Sequence, residues 1–425
     1  MKTPCYLTFV MAAALACTQP VWAEDDFEFD DSEYDDVVFE DDLQESGNWF
    51  IENLSMEITH GLTSSRMQNW DVIGNKTTGS VGWSSALSPA LYAKIEGQLD
   101  LYWADDSNAS EHYDARFTDT FIQASVANIS GKLGYFTLGW GEVEGSQVLD
   151  VINPTASITS GSLDVAGESQ LLLTTDMYLG RTTGSLFVNL DPKVADIPFP
   201  GVTTKNTDEL EYGGKLKLTL SGSDVGLYAA HLLPNNPVFT SPVNPDKAVA
   251  NPYTLIGTSM NRTLGNMLLK ADIAYKQGLE TLDAEVMSEP VSINRLDYAA
   301  GVEYSFSDGK QLVVALNNKQ ILDFKASYLA IPGFSGRPAI ESKEHASQLM
   351  LSFSDTYVNE TLSLDVGSMA SLDGEMVMLF YQLDYSLSDR WSVNSGQVFA
   401  FADAESLFAA YDQEIMISAG VTWSN

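Results

Sequence analysis

From Leu91 to Trp103 the chain alternates without a fault. Leu91, Ala93, Ile95, Gly97, Leu99, Leu101 and Trp103 fall on one face; Tyr92, Lys94, Glu96, Gln98, Asp100 and Tyr102 fall on the other. Successive side chains of a strand point to opposite faces, so this segment presents one apolar and one polar surface. Thirteen such residues are long for a strand of a soluble sheet and suit a tilted strand that crosses a bilayer. The pattern returns at Val377, Leu379, Tyr381, Leu383, Tyr385 and Leu387, opposed by Phe380, Gln382, Asp384 and Ser386. It closes the chain at Ile415, Ile417, Ala419, Val421 and Trp423. Helical periodicity is scarce, and no run approaches the ~18 apolar residues of a membrane helix.

Connections narrow the fold further. Tight-turn signals stand at Ser88-Pro89, Ser130-Gly131, Thr183-Gly184, Ser221 to Asp224, Gly265-Asn266, Asp308-Gly309, Asp355 to Asn359 and Ser388-Asp389. Between them lie longer links: Glu142 to Gly167, Asp191 to Asp208, Pro234 to Asn251, Gln277 to Asn294 and Leu322 to Lys343. Shorter members of that second set are Ala104 to His112, Ser371 to Asp373 and Ala402 to Ala410. Short and long connections alternate, as they do where a barrel separates periplasmic turns from extracellular loops. The expectation is an all-β fold, a transmembrane antiparallel up-and-down β-barrel of about 18 strands, with 16 as the alternative count. An even number puts both termini in the periplasm.

Residues 1–23 read as a signal peptide. Lys2 gives the positive start, Tyr6 to Cys17 the apolar stretch, and Val21-Trp22-Ala23 the cleavage site. Leu15-Ala16-Cys17 loosely resembles a lipobox, but the leucine lies one place too close to the cysteine. Cys5 and Cys17 are the only cysteines, so the remainder has neither disulfides nor thiolate chemistry. The four histidines, His60, His112, His231 and His345, show no metal-ligand spacing. Neither a metal, a cofactor nor a catalytic residue is expected.

The formal charge is −36, and Glu24 to Glu45 contributes thirteen acidic residues and no basic one. Such a surface repels nucleic acid. Residues 24–48 are expected to form a disordered acidic periplasmic tail, interrupted by Phe27, Phe29, Tyr34 and Phe39; the alternative is a tail that plugs the lumen or meets a periplasmic partner. Residues 49–425 form the barrel. Its polar face then lines the interior: Lys94, Glu96 and Asp100 in one strand, Glu211, Lys215 and Lys217 in another, Lys270, Asp272 and Lys276 in a third. These charges either pair to solvate the wall or line a substrate path, for which Lys94, Glu96, Asp100, Lys215 and Lys217 are the candidates.

Several segments, in order, resemble one family, the outer-membrane barrels catalogued as domain of unknown function 1302. The stretch Leu133 to Glu142 is similar to that family's strand ending in Trp-Gly-Glu, and Asp150 to Pro154 is similar to the Asn-Pro element after it. Glu211 to Leu233, Leu255 to Lys276, and Asn359 to Leu362 leading into Ser386 to Trp391 continue the likeness. The resemblance implies traffic of hydrophobic or amphiphilic, lipid-like molecules, together with an inner-membrane transporter of the resistance-nodulation-division type and a periplasmic lipoprotein. The near-terminal aromatic Trp423 is the usual signal to the barrel assembly machinery, although Ser424-Asn425 follow it. The lipid bilayer and lipopolysaccharide of a Gram-negative outer membrane complete the expected surroundings.

In many porins a long loop folds into the lumen, which would place Trp140, Glu142, Asp150 and Asn153 near a constriction. The alternative has Trp140 anchored in the lipid interface and Asn153-Pro154 opening a turn. Three Pro-rich links carry apolar residues suited to a lid: Ile197 to Pro200, Pro237 to Phe239, and Tyr328 to Phe334. Three functions remain: a transport barrel for an amphiphile, a general diffusion porin, and a non-transporting surface protein or membrane hydrolase.

Overall fold

The computed structural model describes residues 49–103, 113–153, 167–194, 202–205, 209–243, 245–307, 309–333, 339–403, 406 and 409–425. The leader, the acidic tail, the link 104–112 and the apolar link 197–200 lie outside them. One helical turn, Trp49–Glu52, leads into eighteen barrel strands. These are β1 (Leu54–Ser65), β2 (Val72–Ser88), β3 (Leu91–Tyr102), β4 (in two pieces, Tyr113–Phe117 and Thr120–Val126), β5 (Ile129–Phe136) and β6 (Gln170–Leu179). Then come β7 (Thr182–Asn189), β8 (Glu211–Leu220), β9 (Ser223–Leu232), β10 (Tyr253–Leu264), β11 (Met267–Asp283) and β12 (Val286–Ser305). The circle is completed by β13 (Gln311–Leu322), β14 (His345–Tyr357), β15 (Leu362–Ser371), β16 (Met376–Ser388), β17 (Trp391–Ala402) and β18 (Glu414–Ser424).

Each strand pairs antiparallel with its sequence neighbours, and β18 pairs back onto β1 from Glu57↔Ser424 to Ser65↔Met416. Closure leaves no edge to aggregate, and every barrel wall that meets lipid must satisfy its backbone this way. The chain end reinforces the seam. Asn425 donates from Nδ2 to the Leu54 carbonyl at 3.1 Å and accepts the Met56 N–H through Oδ1 at 2.8 Å. Asn425→Ala removes both side-chain bonds, each worth about 1 kcal/mol. It is expected to lower the temperature at which the folded band is lost on a semi-native gel by a few degrees.

Outward positions are apolar and exposed, as a lipid face requires: Ile95 51%, Leu186 67%, Ile256 59% and Ile273 47%. Inward positions carry the charged and small residues. The start of β1, the end of β18 and most tight turns share one rim; the longer links share the other, together with the Ala284-Glu285 turn between β11 and β12.

Two tight turns fall three residues earlier than expected. The chain reverses at Ala127-Asn128 rather than Ser130-Gly131, and at Gly180-Arg181 rather than Thr183-Gly184. Ala127 and Gly180 adopt positive φ, 54° and 64°, whereas Gly131 and Gly184 stay in the ladder. The stretch from Gln277 to Asn294 is not a loop. β11 and β12 run on as a hairpin past a bulge at Gln277/Leu279, where Gly278 takes φ 88°, and turn at Ala284-Glu285. On the long-loop rim, Val238–Phe239, Lys247–Val249 and Thr203–Lys205 make a small separate sheet. Phe239 packs there with Leu282 and Leu329.

Candidate functional site: an inward loop and its latch

After Phe136 the chain leaves the wall and enters the lumen. Gly139-Trp140-Gly141 makes the bend: Gly141 takes φ 93°, and a side chain there would meet Asp272 Oδ2 at 2.9 Å. The loop then buries Trp140, Val143, Val148, Leu149, Val151 and Ile152 against inward residues of β6 to β14. The wall is carved to receive it. A Cβ on Gly257 of β10 would lie 2.4 Å from Leu149 Cδ2, and one on Gly301 of β12 would lie 3.3 Å from Val143 Cγ1. Ala230, Ala274, Ala299 and Ala315 are further small residues in the same cluster. Small residues on the polar face of consecutive strands were the unread signal for this seat.

Polar contacts latch the loop down. Asp272 on β11 accepts the Glu142 N–H at 3.0 and 3.1 Å through its two oxygens and the Val143 N–H at 3.0 Å. Asn261 donates to Glu142 Oε2 at 2.8 Å, and Lys276 donates to the Gln147 carbonyl at 3.0 Å. Lys270 bridges Glu144 of the loop and Glu303 of β12. Lys276 is itself buried on Asp297, 2.8 Å away, which also takes a two-point contact from Arg295. At the base of the loop Asn153 acts as a clasp: its side chain exchanges hydrogen bonds with the Leu138 N–H (3.1 Å) and carbonyl (3.0 Å). Gln170 holds the Ile152 carbonyl at 2.6 Å and is tied through Asn189 to Glu211.

Trp140 therefore lies inside the barrel and does not anchor in the lipid interface. Its ring meets Phe187 edge-on at 5.2 Å and Tyr228 at 5.1 Å. Asp150, half-buried on the same loop, accepts the Trp140 backbone N–H, while its buried Oδ1 finds no donor among the described residues. Burial, aided by the nearby Asp272, pushes its carboxyl up to about 6.

Beside the aromatic cluster, two lumenal ammonium groups meet rings rather than carboxylates. Lys132 Nζ sits 3.6 Å from the centre of Phe121 and 4.0 Å from that of Phe136; Lys215 Nζ lies 5.7 Å from that of Tyr228. Lys217 differs, because it is neutralised by Asp224 at 3.1 Å. The Lys94, Glu96 and Asp100 set lies apart, on β3. Lys94 pairs with Asp119 at 2.7 Å and Glu96 at 3.1 Å, and Asp100 is buried between Arg116 (3.1 Å) and Lys76 (3.7 Å). The structure thus gathers Trp140, Glu142, Asp150 and Asn153 on one loop, sets Lys215 beside its aromatic cluster, and leaves the β3 residues in the wall.

Among the described residues the histidines build no catalytic pair. His60 bonds Thr77, and His231 and His345 lie 3.7 Å from Glu209 and Glu344; His112 is outside the described residues. Among the described residues no three His, Cys, Asp or Glu side chains are placed to hold a metal ion.

No protein-family model matches the chain, and no curated protein does. Solved structures do match its fold. OccAB1 of Acinetobacter baumannii superposes with a TM-score of 0.55 at 11% identity, over 91% of this chain and 99% of that one. OccK2 (OpdF) of Pseudomonas aeruginosa, solved with glucuronate, gives 0.54 at 10% identity over 88% and 98%. OpdK of the same organism, solved with vanillate, gives 0.54 at 7% identity over 88% and 99%. The chain has the closed eighteen-stranded fold of these outer-membrane porins.

Proposed function

We propose that this protein is a solute-selective outer-membrane channel for amphiphilic molecules with an acidic head and an apolar body. One observation carries the reading: the loop that narrows the lumen offers an aromatic cluster, Trp140 with Phe187 and Tyr228, flanked by Lys132 and Lys215 on ring faces. In a chain of net charge −36, two lumenal cations without a carboxylate partner among the described residues form a local exception. A carboxylate would exchange water for an ammonium group there. The vanillate and glucuronate of two structural neighbours are both small carboxylates, and vanillate carries an aromatic body. A general diffusion porin fits less well, since the loop is latched across the lumen at both its ends.

Planar-bilayer recordings test the proposal. The wild type is expected to show small conductance that millimolar benzoate partly blocks. The double variant Lys132→Gln, Lys215→Gln is expected to lose that block about tenfold, which corresponds to ~1.4 kcal/mol, with the barrel intact. Large, steady currents indifferent to benzoate would sink the reading.

A further inference from the structure

We propose that this protein pairs with a second copy of itself through the outer face of β17, β18 and β1, across a twofold axis along the membrane normal. The pairing is independent of what the channel carries. Two polar side chains stand out on this arc of a wall that otherwise faces hydrocarbon. The flanking walls are apolar: β3 presents Ile95, Leu99 and Leu101 outward, and β16 presents Val377, Leu379 and Tyr385.

His60 on β1 is the first. It shares its face with Ile58 and Leu62, both exposed, and lines a shallow groove with Trp391, Val421 and Trp423. Trp103 donates its indole N–H to Thr77 Oγ1 at 2.9 Å, so the Thr77 hydroxyl is left to donate to His60 Nδ1, also 2.9 Å away. The proton of the neutral ring then sits on Nε2, which has no hydrogen-bond partner among the described residues.

Gln397 on β17 is the second. It is half-buried, alternates with the inward, buried Val398, and shares its face with the exposed Trp391 and Phe401. Its amide has no hydrogen-bond partner among the described residues either. A polar group left unsatisfied in hydrocarbon costs several kcal/mol, and an acyl chain supplies neither a donor nor an acceptor.

Each group is placed to satisfy the other across an axis. β1 and β17 both run from the tight-turn rim to the long-loop rim and have twelve residues each. His60 is the seventh residue of one and Gln397 the seventh of the other, so the two lie at the same depth. β18 lies between and pairs with both. Its middle residue, Ala419, is exposed and small. Two copies inserted in the same sense are related by an axis along the normal, and a twofold contact is self-complementary. With that axis over Ala419, β1 of one copy faces β17 of its partner at equal depth. His60 Nε2–H then donates to the side-chain carbonyl of the partner's Gln397, and the same bond forms again on the other side of the axis. A ring of three or more copies would join two different faces, whereas both groups sit astride one arc of three strands.

Subunit counting tests the pairing. Residues from Glu24 onward contain no cysteine, so Asn266→Cys, at the β10–β11 turn on the far wall, places one dye on each full-length chain. Photobleaching steps are counted in vesicles at low protein density. Two steps per particle are expected for the otherwise unaltered chain. Ala419→Phe, which holds the walls apart, is expected to give single steps. His60→Leu and Gln397→Leu are each expected to weaken pairing about tenfold, and the double variant no further, since both remove the same contact. All these side chains lie on the outer face, and the heat-dependent gel shift of the folded barrel checks that each variant assembles. Single steps for the unaltered chain would overturn the dimer, and three or more would overturn the twofold axis. Two steps unmoved by all the substitutions would overturn this face as the interface.

Discussion

Asp272→Ala is expected to raise single-channel conductance severalfold. The side chain stands at the centre of the inward loop's attachment, taking the backbone N–H groups of Glu142 and Val143. Truncation leaves two buried donors without an acceptor, at about 1–3 kcal/mol each. It also takes a carboxylate from beside Lys270. The remaining ties to β10 and β11 are the Asn261 bond to Glu142, the Lys270 contact with Glu144 and the Lys276 bond to the Gln147 carbonyl. All of them reach the loop through long or flexible side chains, so they can follow it as it lifts. Asp272→Asn keeps one acceptor oxygen and should fall between the two. Conductance of the alanine variant equal to wild type would show that apolar packing of Val143, Leu149 and Ile152 alone holds the loop.

This latch also marks where sequence reasoning stopped. The alternation from Leu91 to Trp103 and the rhythm of connections suffice for the barrel and its strand number, because period two and loop length are local properties. Turn positions were legible to within a few residues. Gly131 and Gly184 misled because a glycine in a ladder and a glycine in a turn look alike until φ is known, 64° being the value at the true turn residue Gly180. The link from Gln277 to Asn294 misled because a hairpin that leaves the membrane loses its apolar face and so its alternation. Trp140, Glu142, Asp150 and Asn153 could be named as a group because they follow one another. Their seat could not. Gly257, Gly301 and Asp272 lie more than a hundred residues away and become neighbours only when the loop crosses the lumen. Nor could the interruption in β4, since Glu96 looks like any other wall charge until Thr118 and Thr120 are seen to bond it.

Acidification is expected to close the channel and neutral pH to loosen it, with Asp150 as the responsive group. On the docked loop this carboxyl is largely withdrawn from water, and that desolvation raises it to about 6 despite the Trp140 N–H it accepts. On a loop released into water it would titrate near ~3.9. A docked pKa above the released one means that docking is tightest where the acid is protonated in both states. That strength is complete below about pH 4 and is lost as pH rises through about 6. Two units correspond to roughly 3 kcal/mol over the full titration, so the ratio of lifted to docked loop should grow about fiftyfold between pH 4 and pH 7. Open-state fluctuations in bilayer recordings would report it, fewer and shorter on the acid side. Asp150→Asn is neutral throughout and can still accept the Trp140 N–H, so it should hold the quiet, acid-like behaviour at pH 7. If the asparagine variant keeps the wild-type pH response, another carboxylate at the latch governs it. If both are quiet at pH 7, packing outweighs the buried charge.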